Sequence, residues 1–554
     1  MIRQAGLCGV VVVAAGAVGS ACRGPRAPGL TPNEAGAAMT SAPRSACADG
    51  RLSPLIEDRD VYRSSNLDVW TVNITAPDTK ALADVQRNVD GARVEVVFQE
   101  GDFGSDATEP NAVMELRGHS TRLTIQKSFH ISLTAPGQTW RGYRKINLNK
   151  HPYDLTRVRN KLAFDTFATV PDFTSLRTQF VHLYINDRDY GLFTQIEALG
   201  DRFLGDHGLD PHGTLWKAIN FSWQPIDAET AANPTELAAV VEDHNNGDLA
   251  RLMRTIADVN DGEQDINDVI QRHFERGNFI TWLAINVLTG NFDTVTQNFY
   301  LYGPRGCQGW YFLPWDYDGA LEFYQQRGEA SLPRHRAGLA NWWSVPLIRR
   351  FLKDPRNLRD LDQRITELAQ DAMSDGALHE RARSYYGVVG PFVTRLPDMN
   401  YLPTSGVAAA GDRIAQWEDE YARLEGVIDR RVADYRYTLA RPMPVRLYLP
   451  APGPSPRDAY TFTWSRSFLL QGRDWSYDFE VSRTFAFAPG DLIVRAPGLR
   501  QAIAMATVPP GTYYWRVVAR SDNQPDENWM TPLGVGYGKF EVTPGSVRRA
   551  RPLH

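Results

Sequence analysis

Gly290-Asn-Phe-Asp-Thr-Val-Thr-Gln-Asn298, with Pro314-Trp-Asp-Tyr-Asp-Gly319 beyond it, is the stretch that decides the reading of this chain. Upstream, Ile280, Leu283, Ala284, Val287 and Leu288 recur at helical spacing and stop at Gly290, a residue suited to a helix C-terminus. Between the two motifs, Asn298-Phe-Tyr-Leu-Tyr and Trp310-Tyr-Phe-Leu-Pro read as short aromatic strands joined through Gly-Pro-Arg-Gly, a hairpin. A long apolar helix, a loop carrying Asp293, a strand entered at Asn298 and a hairpin returning to Asp316 bring two carboxylates and a carboxamide toward one place. Phosphoryl transfer needs such a set: a carboxylate to orient a hydroxyl nucleophile, and oxygen ligands from separate segments to hold metal ions against phosphates. Asp-x4-Asn alone is a weak signal. The helix before it and the hairpin after it give it structural context.

Outward from this stretch the period changes. Trp70, Val72 and Ile74 alternate with polar residues, as do Val94, Val96 and Phe98, and Phe129, Ile131 and Leu133, so the region before about residue 224 reads as mostly strands. Asp154 stands at an N-cap position ahead of Val158, Leu162 and Phe167, which predicts one helix among those strands. Strands resume at Phe180–Ile185 and Tyr190–Phe193, and helical spacing dominates from about 225 to 440. After Arg441-Pro-Met-Pro the chain alternates again through Tyr460, Phe462 and Trp464, then Tyr477, Phe479 and Val481, then Tyr513, Trp515 and Val517, as a small sandwich does.

The mix of 60 basic and 65 acidic residues, net −5, leaves no basic field for nucleic acid. Residues 1–22 carry Arg3, an apolar run rich in Val, Ala and Gly, and Gly19-Ser20-Ala21-Cys22, an export signal. Cys22 after small residues is similar to a bacterial lipid-anchor box, with Gly19 where that pattern has Leu. The predicted address is extracytoplasmic, secreted or lipoprotein-anchored. Residues 23–50, rich in Pro, Gly, Ala and Ser, read as a flexible tether. Of four cysteines, Cys47 and Cys307 lie in the mature body, where an oxidising compartment permits a disulfide between them; two unrelated thiols is the alternative.

A kinase-type site also needs a cation for the phosphates. Lys127, after the turn Leu116-Arg-Gly-His-Ser-Thr121, is in place to supply it, with Gly118 allowing the turn and Ser120 and Thr121 offering donors. These pieces, together with Asp154-Leu-Thr-Arg-Val-Arg-Asn-Lys-Leu-Ala and Tyr184-Ile-Asn-Asp-Arg-Asp-Tyr-Gly-Leu-Phe with Glu197, resemble the CotH (spore coat protein H) kinase family over about residues 113–325. The resemblance implies an α+β chain: an atypical bilobal protein-kinase-like fold over 51–440, with lobes of about 51–224 and 225–440. Pro509-Pro-Gly-Thr-Tyr-Tyr-Trp-Arg-Val resembles a fibronectin type III strand, implying such an immunoglobulin-like β-sandwich over 441–546 with a tail at 547–554. The CotH resemblance also implies a metal-dependent transfer of the ATP γ-phosphoryl group to Ser or Thr of a surface, secreted or periplasmic protein. ATP and Mg2+ or Mn2+ would be the cofactors. Asp293 would be the base, Asn298 and Asp316 the metal ligands, with Asp318 the alternative carboxylate to Asp316, and Lys127, Arg117, Gly118, Ser120, Thr121 and Glu197 the nucleotide contacts. A surface binding or adhesion protein that keeps the fold without catalysis is the rival.

Two departures stand out. No G-x-G-x-x-G precedes Lys127, and no glutamate lies between Lys127 and Glu197 to pair with it, which leaves Glu115, Asp154 or Asp165 as substitutes. Elsewhere, Asp258–Asp268 reads as the acidic entry to a helix, Asp206-His207 with Asp210 and His212 as a solvated loop, and Trp342-Trp343 as core or a stacking surface.

Overall fold

The computed structural model describes residues 47–48, 51–55, 57–62, 67–328, 338–404, 409–453, 459–472, 474–522, 529–530 and 536–542. The expected signal, Cys22, most of the tether and the tail lie outside them. Among the described residues no helix is long and apolar enough to cross a membrane.

The alternating runs form β1 (Val69–Thr75), β2 (Arg93–Gln99), β3 (Ala112–Arg117), β4 (Ser128–Leu133), β5 (Lys145–Asn149), β6 (Thr178–Ile185) and β7 (Arg188–Ile196). They close into one barrel in the order β1-β2-β3-β4-β5-β7-β6, antiparallel except where β1 meets β6 in parallel. Closure removes the free edges that an open sheet would expose. Val72, Val96, Met114, Ile131, Ile146 and Leu183 fill its interior, with α1 (Thr79–Gln86) packed on one side through Leu82 and Val85.

Helix α2 (Arg159–Phe167) starts later than the sequence suggests. The Asp154 carboxylate accepts from the Thr156 amide at 2.9 Å and the Thr156 hydroxyl at 2.8 Å, and Arg157 adopts φ +65°, so an Asx-type turn precedes the helix. Asp154 still caps it from a distance, accepting from the Arg159 amide at 3.0 Å. All nine residues of α2 are buried, polar ones included.

A second sheet contains β8 (Thr214–Ala218), β9 (Val241–Asn245), β10 (Phe299–Gly303) and β11 (Tyr311–Pro314) in the order β9-β8-β10-β11. The hairpin expected within the helical region is its β10-β11 half, and β8 crosses in from before residue 224, so this sheet straddles the expected lobe boundary. Helices α3 (Leu249–Asn260), α4 (Ile266–His273), α5 (Arg276–Thr289), α6 (Pro346–Leu352), α7 (Pro355–Gln370), α8 (Asp375–Val393), α9 (Ala410–Ala422) and α10 (Val427–Leu439) share one apolar cluster with it. In α5 every residue from Asn278 to Thr289 is buried, so the single apolar stripe read from the sequence is one face of a helix enclosed all round. Trp282 stacks on Phe312 of β11 at 4.4 Å, fixing α5 against the hairpin.

Barrel and helices are tied together by Asp398. Its carboxylate takes the buried Lys150 amine at 2.6 Å, the Leu192 amide at 2.8 Å and the Gln126 side chain at 2.9 Å. Gly191, at φ +76°, has to be glycine, because a Cβ there would fall 2.2 Å from Asp398 Oδ2.

Beyond α10, β12 (Tyr460–Thr463) pairs with β15 (Ile503–Ala506), while β13 (Trp475–Ser482), β14 (Leu492–Leu499), β16 (Gly511–Ser521), β17 (Trp529–Met530) and β18 (Gly538–Val542) form a five-stranded sheet. Phe462, Phe479, Trp515, Val517 and Phe540 form one apolar cluster between them.

Burial corrects one expectation and decides another. His207 is not in a solvated loop: it is fully enclosed, with Nδ1 3.0 Å from Glu57 Oε2 and Nε2 3.1 Å from Glu197 Oε2. Trp342 and Trp343 are core residues, and the Trp342 indole donates to Thr294 Oγ1 at 3.2 Å. Asp258 closes α3 and pairs with Arg272 and His273, while Asp265 caps α4. Cys307 is disulfide-bonded; the side chain of Cys47, its expected partner, lies outside the described residues.

Candidate active site

Helix α5 ends in Gly290 in the left-handed conformation, and the chain passes through Asn291 into a single 3-10 turn, Phe292–Val295. This turn presents Asp293. Phe292 stacks on Tyr324 at 4.7 Å, and the Tyr324 hydroxyl donates to Asp293 at 3.1 Å from Oδ2 and 3.3 Å from Oδ1. The Asp293 carbonyl accepts from the Gln297 amide at 3.1 Å, bending the chain toward Asn298. Asn298 enters β10 at φ +62°, and Asp316 leaves β11 at φ +52°. Non-glycine residues in this region are uncommon, and here two of them flank the open end of one hairpin, where the Trp315 amide donates to the Asn298 carbonyl at 3.2 Å.

The segment after β11 is held from three sides. Helix α2 supplies Asn160, whose Oδ1 accepts from the Tyr317 amide at 3.0 Å and whose Nδ2 reaches toward Asp316 Oδ1 at 3.5 Å. Arg159 donates to the Leu321 carbonyl at 3.0 Å while its other nitrogens hold Asp154 and Glu420. Helix α5 supplies Asn286, which accepts from the Tyr317 hydroxyl at 2.9 Å, and the Thr289 carbonyl, which accepts from the Leu321 amide at 2.7 Å. Glu322, ringed by Arg423, Arg430 and Arg431, pins the far end.

This scaffold concentrates negative charge. Burial raises Asp318 well above the ordinary carboxylate range, and repulsion from Asp316, Asp293 and Asp154 adds to the rise. Asp316 is also raised by burial, against the pull of Arg117 and then Lys217. Carboxylates stripped of water and set against one another favour a cation. Among the described residues no three His, Cys, Asp or Glu side chains converge closely enough to hold an ion by themselves. Mg2+ is rarely caged by protein alone, and takes one or two carboxylates together with phosphate oxygens and water.

The cations are arranged differently from the sequence reading. Lys127 donates to the Arg122 carbonyl at 2.5 Å, and burial alone lowers its pKa. Arg117 and Lys217 are the bases that act electrostatically on Asp316. Glu197 is engaged by the Arg177 guanidinium at 2.8 Å and by His207, in a buried network with Glu57 and Tyr62. The alternatives to a lysine-paired glutamate are also engaged elsewhere: Glu115 with Arg93, Asp154 with Arg159 and Asp165 with Lys161. Gly118, at φ +86°, lets Thr121 fold back so that its hydroxyl lies 3.4 Å from the Arg117 carbonyl, and the Ser120 carbonyl accepts from Tyr153 at 3.1 Å.

Asn160, Lys217, Trp315 and Tyr324 were not singled out from the sequence. The run Arg-Asn-Lys-Leu-Ala-Phe-Asp in α2 carried a signal for the first of them, since a helix with charged residues and no solvent face must spend them on internal partners. Nothing local marked Lys217. An open groove of about 380 Å3 lined by Glu275, Arg276, Asp360 and Arg364 shares no residue with this site.

A family model described as CotH kinase protein matches residues 114–435, from β3 through α10. Inner spore coat protein H of Bacillus subtilis (strain 168) is 28% identical over 208 residues, which is 36% of this chain and 56% of that protein. The chain thus spans about half the length of the curated relative it matches.

Proposed function

Because the chain belongs to the CotH kinase protein family, with the match covering more than half of its 554 residues, we propose that it is a metal-dependent phosphotransferase moving the ATP γ-phosphoryl group to a Ser or Thr hydroxyl of a protein. The observation that carries this reading is Asp318 raised by burial beside Asp316 and Asp293, on a loop braced by two helices. Asp293, held by Tyr324, orients the acceptor hydroxyl and receives its proton. Asn298, Asp316 and Asp318 would hold Mg2+ or Mn2+. When bound, the ion neutralises the phosphate charge that develops during transfer. The barrel and the helical region are read as the two lobes of an atypical kinase-like fold, and the C-terminal sheets as a fibronectin-like sandwich.

An extracytoplasmic site of action is supported by the apolar leader in the sequence, by disulfide-bonded Cys307 and by the spore-coat name of the relative. The acceptor is accordingly a surface or secreted protein. Labelled ATP with Mg2+ or Mn2+, offered to the full chain together with a Ser/Thr peptide library, tests the reading. Label should pass to hydroxyl acceptors with wild type and not with Asp316→Ala; equal label with both would remove the proposed role of the metal site.

One observation favours binding alongside catalysis. Phe485, 64% exposed, clusters with Tyr514 and Tyr537 at 6.1 and 6.3 Å beside the five-stranded sheet. Such a patch suits the surface-adhesion alternative.

A further inference from the structure

Arg117 ends β3 of the barrel, and Lys217 lies in β8 of the second sheet, paired in register with Tyr300. The two side chains come from different sheets, yet both lie over the Trp315 ring, at 5.8 and 6.0 Å from its centroid. Trp315 immediately precedes Asp316. Neither cation is saturated. Among the described residues the Arg117 guanidinium makes no hydrogen bond or ion pair, and its Nη1 is buried without an acceptor. Lys217 has a single loose ion pair, to Glu242 at 3.9 Å. The two buried lysines among the described residues, by contrast, are engaged: Lys150 has Asp398, Tyr190 and Leu192, and Lys161 has Asp165 and Thr178.

Two unsaturated cations held over one ring repel each other, and the unmade hydrogen bond of a buried guanidinium destabilises the unliganded site. An anion with several oxygens relieves both. We propose that Arg117 and Lys217 form the polyphosphate clamp of the site, with Lys217 serving as the lysine that Lys127 was expected to be; this rests on the phosphotransferase reading above. The guanidinium fork takes two oxygens of one phosphate, and the ammonium acts as a point charge on a neighbouring phosphate. The clamp adjoins Asp316, so the bound chain of phosphates would lie against the carboxylates proposed to hold the metal.

Calorimetric titration of the full chain with inorganic tripolyphosphate tests the clamp without any turnover. Lys217→Met and Arg117→Met should each weaken binding at least tenfold, while Lys127→Met stays within twofold of wild type. On unmutated protein, amine-selective labelling read by mass spectrometry should show Lys217 protected by tripolyphosphate and Lys127 unprotected, a readout independent of whether a variant folds. Undiminished binding by Lys217→Met, unchanged labelling of Lys217, or no tripolyphosphate binding by wild type would each overturn the clamp. Clamp-dependent binding with no phosphoryl transfer by wild type would sink the kinase reading and leave the clamp standing. Transfer with full nucleotide affinity in Lys217→Met would do the reverse.

Discussion

The Asn160 side chain, on a helix buried on every face, accepts the backbone N–H of Tyr317 at 3.0 Å and so holds the residue between Asp316 and Asp318. The acidic loop is therefore shaped by a residue far from it in sequence. Asn160→Leu leaves that amide unpaired, a loss of about 1–3 kcal/mol of stability. Thermal melting should show the loss, and phosphoryl transfer should fall by more than the folded fraction does.

Gly319 faces Asp293, the proposed base. A Cβ at that position would lie 3.1 Å from Asp293 Oδ2, tighter than ordinary contact, and no left-handed backbone demands glycine there. Gly319→Ala is expected to shift the Asp293 carboxylate while changing stability by less than about 1 kcal/mol. The rate of transfer should drop and nucleotide affinity should hold, as measured by single-turnover kinetics beside equilibrium binding.

The crowded carboxylates destabilise the metal-free chain. Asp318→Asn removes the group that burial and Asp316 strain most, so the variant should melt higher than wild type without metal. Wild type should gain stability on adding Mg2+ or Mn2+, and the variant should gain less. Equal gains in both would place the ion elsewhere.

His207 gives a pH dependence with a defined sign. Burial works against its charge, but hydrogen bonding and attraction to Glu197, then to Glu57, outweigh it and raise its pKa from 6.5 to about 9. A raised folded value means that its contribution, on the order of 3 kcal/mol, is fully present below about pH 6.5 and is lost as pH rises through about 9. The stability gap between wild type and His207→Gln should narrow across that window in denaturant titrations.

The sequence made the order of elements readable around residues 280–319 because each motif there is local: helix stripe, glycine stop, hairpin, acidic turn. Alternation likewise marked the barrel strands, though not their closure, since the parallel pairing of Val69–Thr75 with Thr178–Ile185 joins segments with no shared local signal. The placement of Lys217 over Trp315 was hidden for the same reason. Lys127 lies near Gly118 in sequence and so resembles a kinase lysine, whereas Lys217 reaches Trp315 only through strand pairing between Thr214–Ala218 and Phe299–Gly303. His207 looked solvated because Gly and Pro surround it; its burial depends on Glu57, contributed from before the barrel.

The central claim is that Asp293 orients a hydroxyl for phosphoryl transfer, and Asp293→Asn tests it most directly because it keeps the shape and removes the base. With labelled ATP and Mg2+ or Mn2+, the variant should bind nucleotide within about threefold of wild type while transferring phosphate at least 100-fold more slowly, the range that removal of a general base produces. Transfer by Asp293→Asn at the wild-type rate, or a wild type that neither binds nor turns over nucleotide with any divalent metal, would contradict the account.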